Sequence, residues 1–296
     1  MSAPNITTET LGGARGRAER PRRVKVIRAP AFSPRGLLDG LRELWRYRDL
    51  LYTLSVHRIK VRYKQSLLGV AWALLQPLSL MLIYTMVFSL IAKIPTGGTP
   101  YPVTAYTGLL LWTLFSTALI NSTSGLVSHA NLVTRVYFPR EILPLTYVIA
   151  ALFDFAVAST LLVGLMAYYH LPVTVNALYA VPIVLILVCF VAAVSLVFSS
   201  LQVRFRDVGV AMPLLLQLWM FATPVVYPLS VVPERFRGLY SLNPMVGVVE
   251  NFRHVILEGA APDFYTLGLS ALISLVLLPA AYAYFKRVEA TVADII

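Results

Sequence analysis

Long apolar stretches separated by short polar ones dominate the chain. Six of them run at roughly 68–92, 105–126, 143–168, 177–201, 209–229 and 266–285. Each holds about 20 residues or more, and a helix of that length crosses about 30 Å of hydrocarbon. Lipid offers backbone groups no water, so every crossing segment must satisfy its own N–H and C=O, which selects helices. The pattern therefore predicts an all-α integral membrane protein with six transmembrane helices.

Ahead of the first span the pattern changes. Leu37, Leu41, Leu44, Trp45, Leu51 and Leu54 recur at helical spacing, with Asp39, Arg42, Glu43 and Arg46 between them. This predicts an amphipathic interface helix over 37–66, lying in the membrane plane. Its last part, Arg58 to Lys64, alternates with period two, which is the pattern of a strand. A lone strand beside a membrane has no pairing partner, so helix is expected there too. Between the fifth and sixth spans, residues 230–265 are semi-apolar but too short to cross. Val248, Val249, Phe252, Val255 and Ile256 form one helical face, opened by Asn243-Pro244 and closed by Gly259. One or two re-entrant or interfacial helices are expected. The expected domains are a flexible basic cytoplasmic tail at 1–36, the interface helix at 37–66, a six-span domain at 67–290 and a cytoplasmic C-terminal tail at 291–296.

Composition agrees with the pattern. The chain is 58% hydrophobic and 13% charged, against about 25% charged in an average soluble domain. Its formal charge is +11, and 15 of its 25 Lys and Arg lie in residues 1–67. With both termini inside, the cytoplasmic segments hold 21 of the 25 and the outer segments hold Lys93, Arg235, Arg237 and Arg253. The bias of short loops towards positive charge inside thus sets an N-in/C-in topology. The basic balance serves that topology, and no nucleic acid partner is expected. The tail from Arg15 to Arg28 either touches anionic headgroups or is simply solvated. The first spanning run begins near residue 67, so no cleavable leader is expected. Cys189 is the single cysteine, which allows neither an intramolecular disulfide nor a Cys-based metal site.

Motifs for chemistry are scarce. The chain has no G-x-x-x-x-G-K-[ST] for nucleotide phosphates and no H-E-x-x-H for zinc. Ser122-Thr123-Ser124-Gly125 faintly resembles a nucleophile turn, but small polar residues between helices fit it better. Asp154 is the one carboxylate clearly within a span, with no partner at i+3 or i+4. An intramembrane carboxylate is a candidate for function or for an interhelix contact. His129, His170 and His254 fall at span ends or in the outer segment. Tyr84, Phe88, Trp112, Phe115, Trp219, Phe221 and Tyr227 enrich spans one, two and five, and Pro77, Pro213, Pro224 and Pro228 interrupt spans one and five. Such rings either anchor at headgroups or line a lumen, where flat apolar faces let a sugar polymer slide.

Several strings together resemble the type-2 ABC transporter permeases of the polysaccharide and polyol-phosphate exporter group. They are Arg62-Tyr63-Lys64-Gln65-Ser66-Leu67-Leu68-Gly69 with Trp72 and Gln76-Pro77, then Phe138-Pro139-Arg140-Glu141-Ile142-Leu143-Pro144, then Arg206-Asp207, Thr223-Pro224 with Tyr227-Pro228, and Asn243-Pro244 with Arg253. The resemblance covers about residues 37–290. It implies a homodimer, two separate ATPase subunits that carry ATP and Mg, no cofactor on this chain, and a lipid-linked glycan as cargo at a bacterial inner membrane. It implies that the loop with Arg135, Tyr137, Phe138, Pro139, Arg140 and Glu141 couples to the ATPase. By position, Arg58, Arg62 and Lys64 either meet a lipid headgroup or simply snorkel to the interface. Tyr84, Phe88, Trp112, Phe115, Trp219 and Tyr227 would line a channel, and Asn243, Pro244, Phe252 and Arg253 would belong to an outer gate. Three alternatives stand beside this. One is a permease of the same fold for a smaller lipid or drug. The second is a membrane glycosyl- or acyl-transferase, which would need a cluster of acids or histidines at one depth. The third is a passive channel or structural scaffold, which would need no ATPase partner.

Overall fold

The computed structural model describes residues 40, 42–64, 66–91 and 98–295, with the side chains of all of them except 90 and 290–295. The basic tail, residues 37–39 and 41 of the interface helix, Gln65 and Lys93 lie outside these residues. Among the described residues all regular structure is helical.

Residues 42–46 are helical, and α1 (Arg48–Lys64) continues them after a turn at Tyr47. The period-two stretch from Arg58 to Lys64 is thus helix, as the missing strand partner requires. The chain turns at Gly69, whose φ of +52° suits glycine. It then enters the first long helix as a 3-10 turn (Gly69–Ala71), α2 (Trp72–Tyr84) and a π-helical end (Thr85–Ile91). α3 (Tyr101–Ser128) follows, then the short α4 (Ala130–Arg135) and α5 (Ile142–Tyr168). α6 (Ala180–Arg204), α7 (Asp207–Phe221), α8 (Glu234–Ser241), α9 (Pro244–Ile256) and α10 (Phe264–Ile295) complete the chain.

α3 is the axis of the molecule. Its span is 78% buried within the chain, more than any of the other four long apolar helices. It packs against α2, α5, α6, α7 and α9, and Val103, Tyr106, Leu109, Phe115 and Leu119 on it have no exposed surface. A second, smaller core gathers at the end of α3 that leads into the α3–α5 loop. There Leu126, Val133, Phe138, Ile142, Val203 and Phe285 pack with Leu44, Tyr47, Leu51 and Leu54.

Five helical stretches are long and apolar enough to cross a membrane: Gly69–Ser89, Tyr101–Ser128, Ile142–Tyr168, Val175–Arg204 and Phe264–Glu289. The expected fifth span at 209–229 is different. α7 has 15 residues, about 22 Å of helix, and stops before Thr223-Pro224. Proline supplies no N–H and keeps the preceding residue out of the helical region, so the helix ends there. α7 buries only Met212 and Leu216, and Val210, Leu214, Leu218 and Phe221 face outward. The sixth span, in contrast, is longer than expected, and its helix runs to Ile295.

The 230–265 segment holds two short helices. α9 starts at Pro244 because the Asn243 side chain accepts from the Met245 N–H at 3.2 Å, capping the helix, and proline suits its first position. Gly259 follows its end with a φ of +63°.

Candidate functional site

Three clusters of polar side chains stand out, two at the α3–α5 loop end and one at the opposite end of α3. The first is the loop itself. His129 breaks α3 from α4 with non-helical dihedrals. Val133 and Phe138 plug into the smaller core, while Arg135, Val136 and Tyr137 point outward, Tyr137 at 63% exposure. Pro139 and Glu141 are buried and Arg140 is half-buried.

Glu141 has no exposed surface. Its carboxylate takes Lys286 Nζ at 2.8 Å and the Tyr282 hydroxyl at 3.1 Å. Lys286 also donates to Glu289 at 2.8 Å. Arg140 closes the cluster: its backbone N–H donates to Glu289 Oε1 at 3.1 Å and its guanidinium to the Glu289 carbonyl at 2.6 Å. Burial pushes the Glu141 carboxyl up, and the Lys286 charge beside it offsets only part of that rise. Among the six loop residues expected to meet a partner, Arg135 and Tyr137 form the free tip, whereas Phe138, Pro139 and Glu141 anchor it. The direct partner contact expected of Glu141 is not open to a carboxylate enclosed in this way.

The second cluster joins α1 to α5. Arg58 Nε donates to Thr146 Oγ1 at 2.6 Å, and its guanidinium lies 3.6 Å from the centre of the Tyr147 ring. Arg62 pairs with Asp154 at 2.5 Å, and the Tyr63 hydroxyl donates to the same carboxylate. The partner that Asp154 lacks on its own helix thus comes from α1, 92 residues away. No local sequence spacing could have revealed it. Lys64 remains exposed. Beside this latch lies a cavity of about 330 Å³ lined by His57, Arg58, Arg62, Asn121, His129 and Tyr147. Burial holds His129 below its ordinary value, and Arg58 adds to the shift. A concave site lined by two guanidiniums suits an anion with several acceptor oxygens.

The third cluster is built around Arg253 on α9, which is 4% exposed. Its guanidinium donates to the carbonyls of Thr104 at 3.2 Å, Pro224 at 2.8 Å and Tyr227 at 3.2 Å, and also to that of Val225. Glu250 lies 3.4 Å away and balances the charge. The Tyr101 hydroxyl donates to the Val226 carbonyl at 2.7 Å, and Asn243 Nδ2 to Thr223 Oγ1 at 2.9 Å. Past the last helical bonds of α7, made by the Ala222 and Thr223 N–H groups, the carbonyls of 224–227 take their donors from Arg253 and Tyr101. Gly108 lets the segment lie against α3, because a Cβ there would collide with the Val225 carbonyl and the Arg253 guanidinium. Phe252 is buried beside them. Of the residues expected at a gate, Asn243 and Arg253 both bind the 222–227 segment, and Pro244 and Phe252 are buried on the same helix.

The rings divide. Trp112 and Phe115 are buried within the chain, with Phe115 stacked on Phe190 at 5.8 Å and edge-on to Trp219 at 4.9 Å. They pack the core and do not line an open surface here, contrary to expectation. Tyr84, Phe88, Trp219 and Tyr227 are half-buried. Trp219 Nε1 donates to Asn243 Oδ1 at 3.3 Å. It borders an apolar groove of about 840 Å³ whose walls include Phe190, Phe198, Tyr240, Asn243 and Pro244. Ser122 and Thr123 lie mid-helix and donate to the Leu119 carbonyl, at 3.2 and 2.7 Å. Gly125 sits against the Tyr147 ring. That string is helix packing, not a nucleophile turn.

Residues 49–257 match the family described as ABC-2 type transporter. The chain is 37% identical over 251 residues to the O-antigen export system permease protein RfbA of Myxococcus xanthus, covering 83% of this chain and 95% of the relative. It is 26% identical to the protein of the same name from Klebsiella pneumoniae, over 84% of this chain and 95% of that one. The polysialic acid transport protein KpsM of Escherichia coli is 24% identical, over 80% of this chain and 92% of the relative.

Proposed function

The chain belongs to the ABC-2 type transporter family, and from that premise we propose that it is the membrane-spanning permease subunit of an ATP-driven exporter. Its cargo is a lipid-linked polysaccharide, and its place is a bacterial inner membrane. The observation that carries the reading is the near full-length similarity to permeases named for O-antigen export and polysialic acid transport.

The reading assigns hydrolysis to two separate ATPase subunits that bind ATP and Mg, and conduction to a pair of these chains. The free tip of Arg135, Val136 and Tyr137 on a buried anchor supports an ATPase contact at the α3–α5 loop. Stiff contacts of this kind transmit closure as rigid-body motion. The outward apolar faces of α2 with its π-helical end and of α7, with Leu82, Ile83, Met86, Leu214 and Leu218 exposed, support a second copy and lipid as their neighbours. Six crossings are supported by the path of α7. It starts next to Val203 in the core at the loop end, and it leads to Val225 against Gly108 near the far end of α3. In this reading a short helix plus a bonded turn covers the distance that each of the five longer helices covers alone. The guanidinium-lined cavity beside α1 would receive the phosphate groups of the lipid carrier, and the Arg253 cluster would form the outer gate.

The test is export. Produced with its ATPase in cells that lack the corresponding permease, the chain should restore surface glycan. Exchanging Arg135 and Tyr137 together for Glu and Ala should cut export on the order of tenfold or more, through lost ATPase attachment. Undiminished export in that double variant sinks the coupling assignment. Failure of the unaltered chain to restore any glycan sinks the cargo assignment.

A further inference from the structure

The α3–α5 loop is joined by peptide bonds to α3 and α5, the obvious routes for motion. The structure contains a third route. Four bonds tie the loop to α10: Lys286 to Glu141, Tyr282 to Glu141, and Arg140 to Glu289 twice. They bridge 141 to 149 residues of sequence. Glu141 is enclosed, and Lys286 and Glu289 keep only 10% and 19% of their side-chain surface. Phe285 fills the same core as Phe138 and Val133, and Gly40 lies so close to Tyr282 that a Cβ would strike its ring.

The other end of α10 is fastened as well. Thr266 Oγ1 accepts from Asn251 Nδ2 on α9 at 3.0 Å, and Gly247 packs directly on Thr266 and Ser270. Asn251 and Arg253 are two positions apart on α9. A helix from Phe264 to Glu289 is 26 residues long, about 39 Å, and continuous through Pro279.

We propose that α10 is a strut linking the ATPase-facing loop to the Arg253 cluster, with Lys286 and Glu289 as positioning residues for energy transfer. A shift of the loop tip is passed through the Glu141–Lys286 pair into α10, and from Thr266 into α9. Substrate touches neither Lys286 nor Glu289; they act by making loop and last helix one body. This rests on the proposed reading of the loop as the ATPase contact.

The experiment uses the complete transporter, this chain with its ATPase, in lipid vesicles. Spin labels at Val173 and Tyr265, both exposed at the far end, report nucleotide-dependent distance changes. Export per ATP hydrolysed is measured in parallel. Lys286→Met should abolish the distance change and lower export per ATP on the order of tenfold, with ATPase still attached and hydrolysing. Lys286→Arg should restore both readouts. Should Lys286→Met fail to assemble, Glu289→Gln and the double variant Glu141→Gln with Lys286→Met, which removes both charges together, give the same reading. A full distance change and unaltered export per ATP in these variants overturn the strut. If the unaltered transporter itself shows no nucleotide response, the loop reading fails, and the strut fails with it.

Discussion

At the residue scale, paired polar groups carry the organisation of this chain, and their exposure decides which partner matters more. Asp154 is the buried member of its pair and Arg62 the half-exposed one, with 12% and 41% of their side chains accessible. Removing the guanidinium leaves a buried carboxylate with only Tyr63. Removing the carboxylate's charge leaves a cation that water can reach. Arg62→Ala should therefore destabilise the purified protein by about 1–3 kcal/mol, and Asp154→Asn by less. Thermal unfolding of both variants and of their combination checks the order, and the double variant should recover part of the loss. The sequence marked Asp154 as a group that needed explaining, since charge at depth is expensive. It did not name the partner, because Arg62 and Tyr63 sit on a separate helix and only packing brings them near.

At the element scale, the end of α7 is the instructive case. Apolar length predicted a span to residue 229, but Pro224 and Pro228 stop the helix and leave bare carbonyls. The carbonyls are then satisfied from outside by Arg253, Tyr101 and, at Ala222, Asn243. This arrangement needs Gly108, so Gly108→Leu should force the 222–227 segment off α3 and lower stability by about 1–3 kcal/mol. Faster proteolysis around residue 230 and a lower Tm in detergent would show it; an unchanged Tm would mean the segment has room to move. The short helices fare better. Asn243-Pro244 opens α9 by local chemistry that sequence reading can recognise.

At the scale of the whole molecule, the two ends of α3 carry different work. One end holds the loop, the guanidinium-lined cavity and the α10 anchor; the other holds the Arg253 cluster. If α7 and its turn complete a crossing, a cysteine at Thr134 should react with an impermeant reagent only from the cytoplasm, and one at Arg235 only from outside. Cys189→Ser provides the background. Labelling of both from one side would remove the six-crossing topology. In mild detergent the protein should also run as a dimer, with the outward faces of α2 and α7 withdrawn from solvent.

The one-dimensional pattern determined that this chain is helical, that it enters a membrane, and where most helices begin and stop. Those properties follow from apolar length, charge sign and capping residues, all local along the chain. Family membership was legible too, as short strings in order. Only the tertiary structure decided that Glu141 is an anchor and not a free contact, that Trp112 and Phe115 fill the core, and that Asp154 latches α1. Burial and pairing depend on what lies across the helix interface, and residues 90 to 150 positions apart leave no periodic trace of meeting.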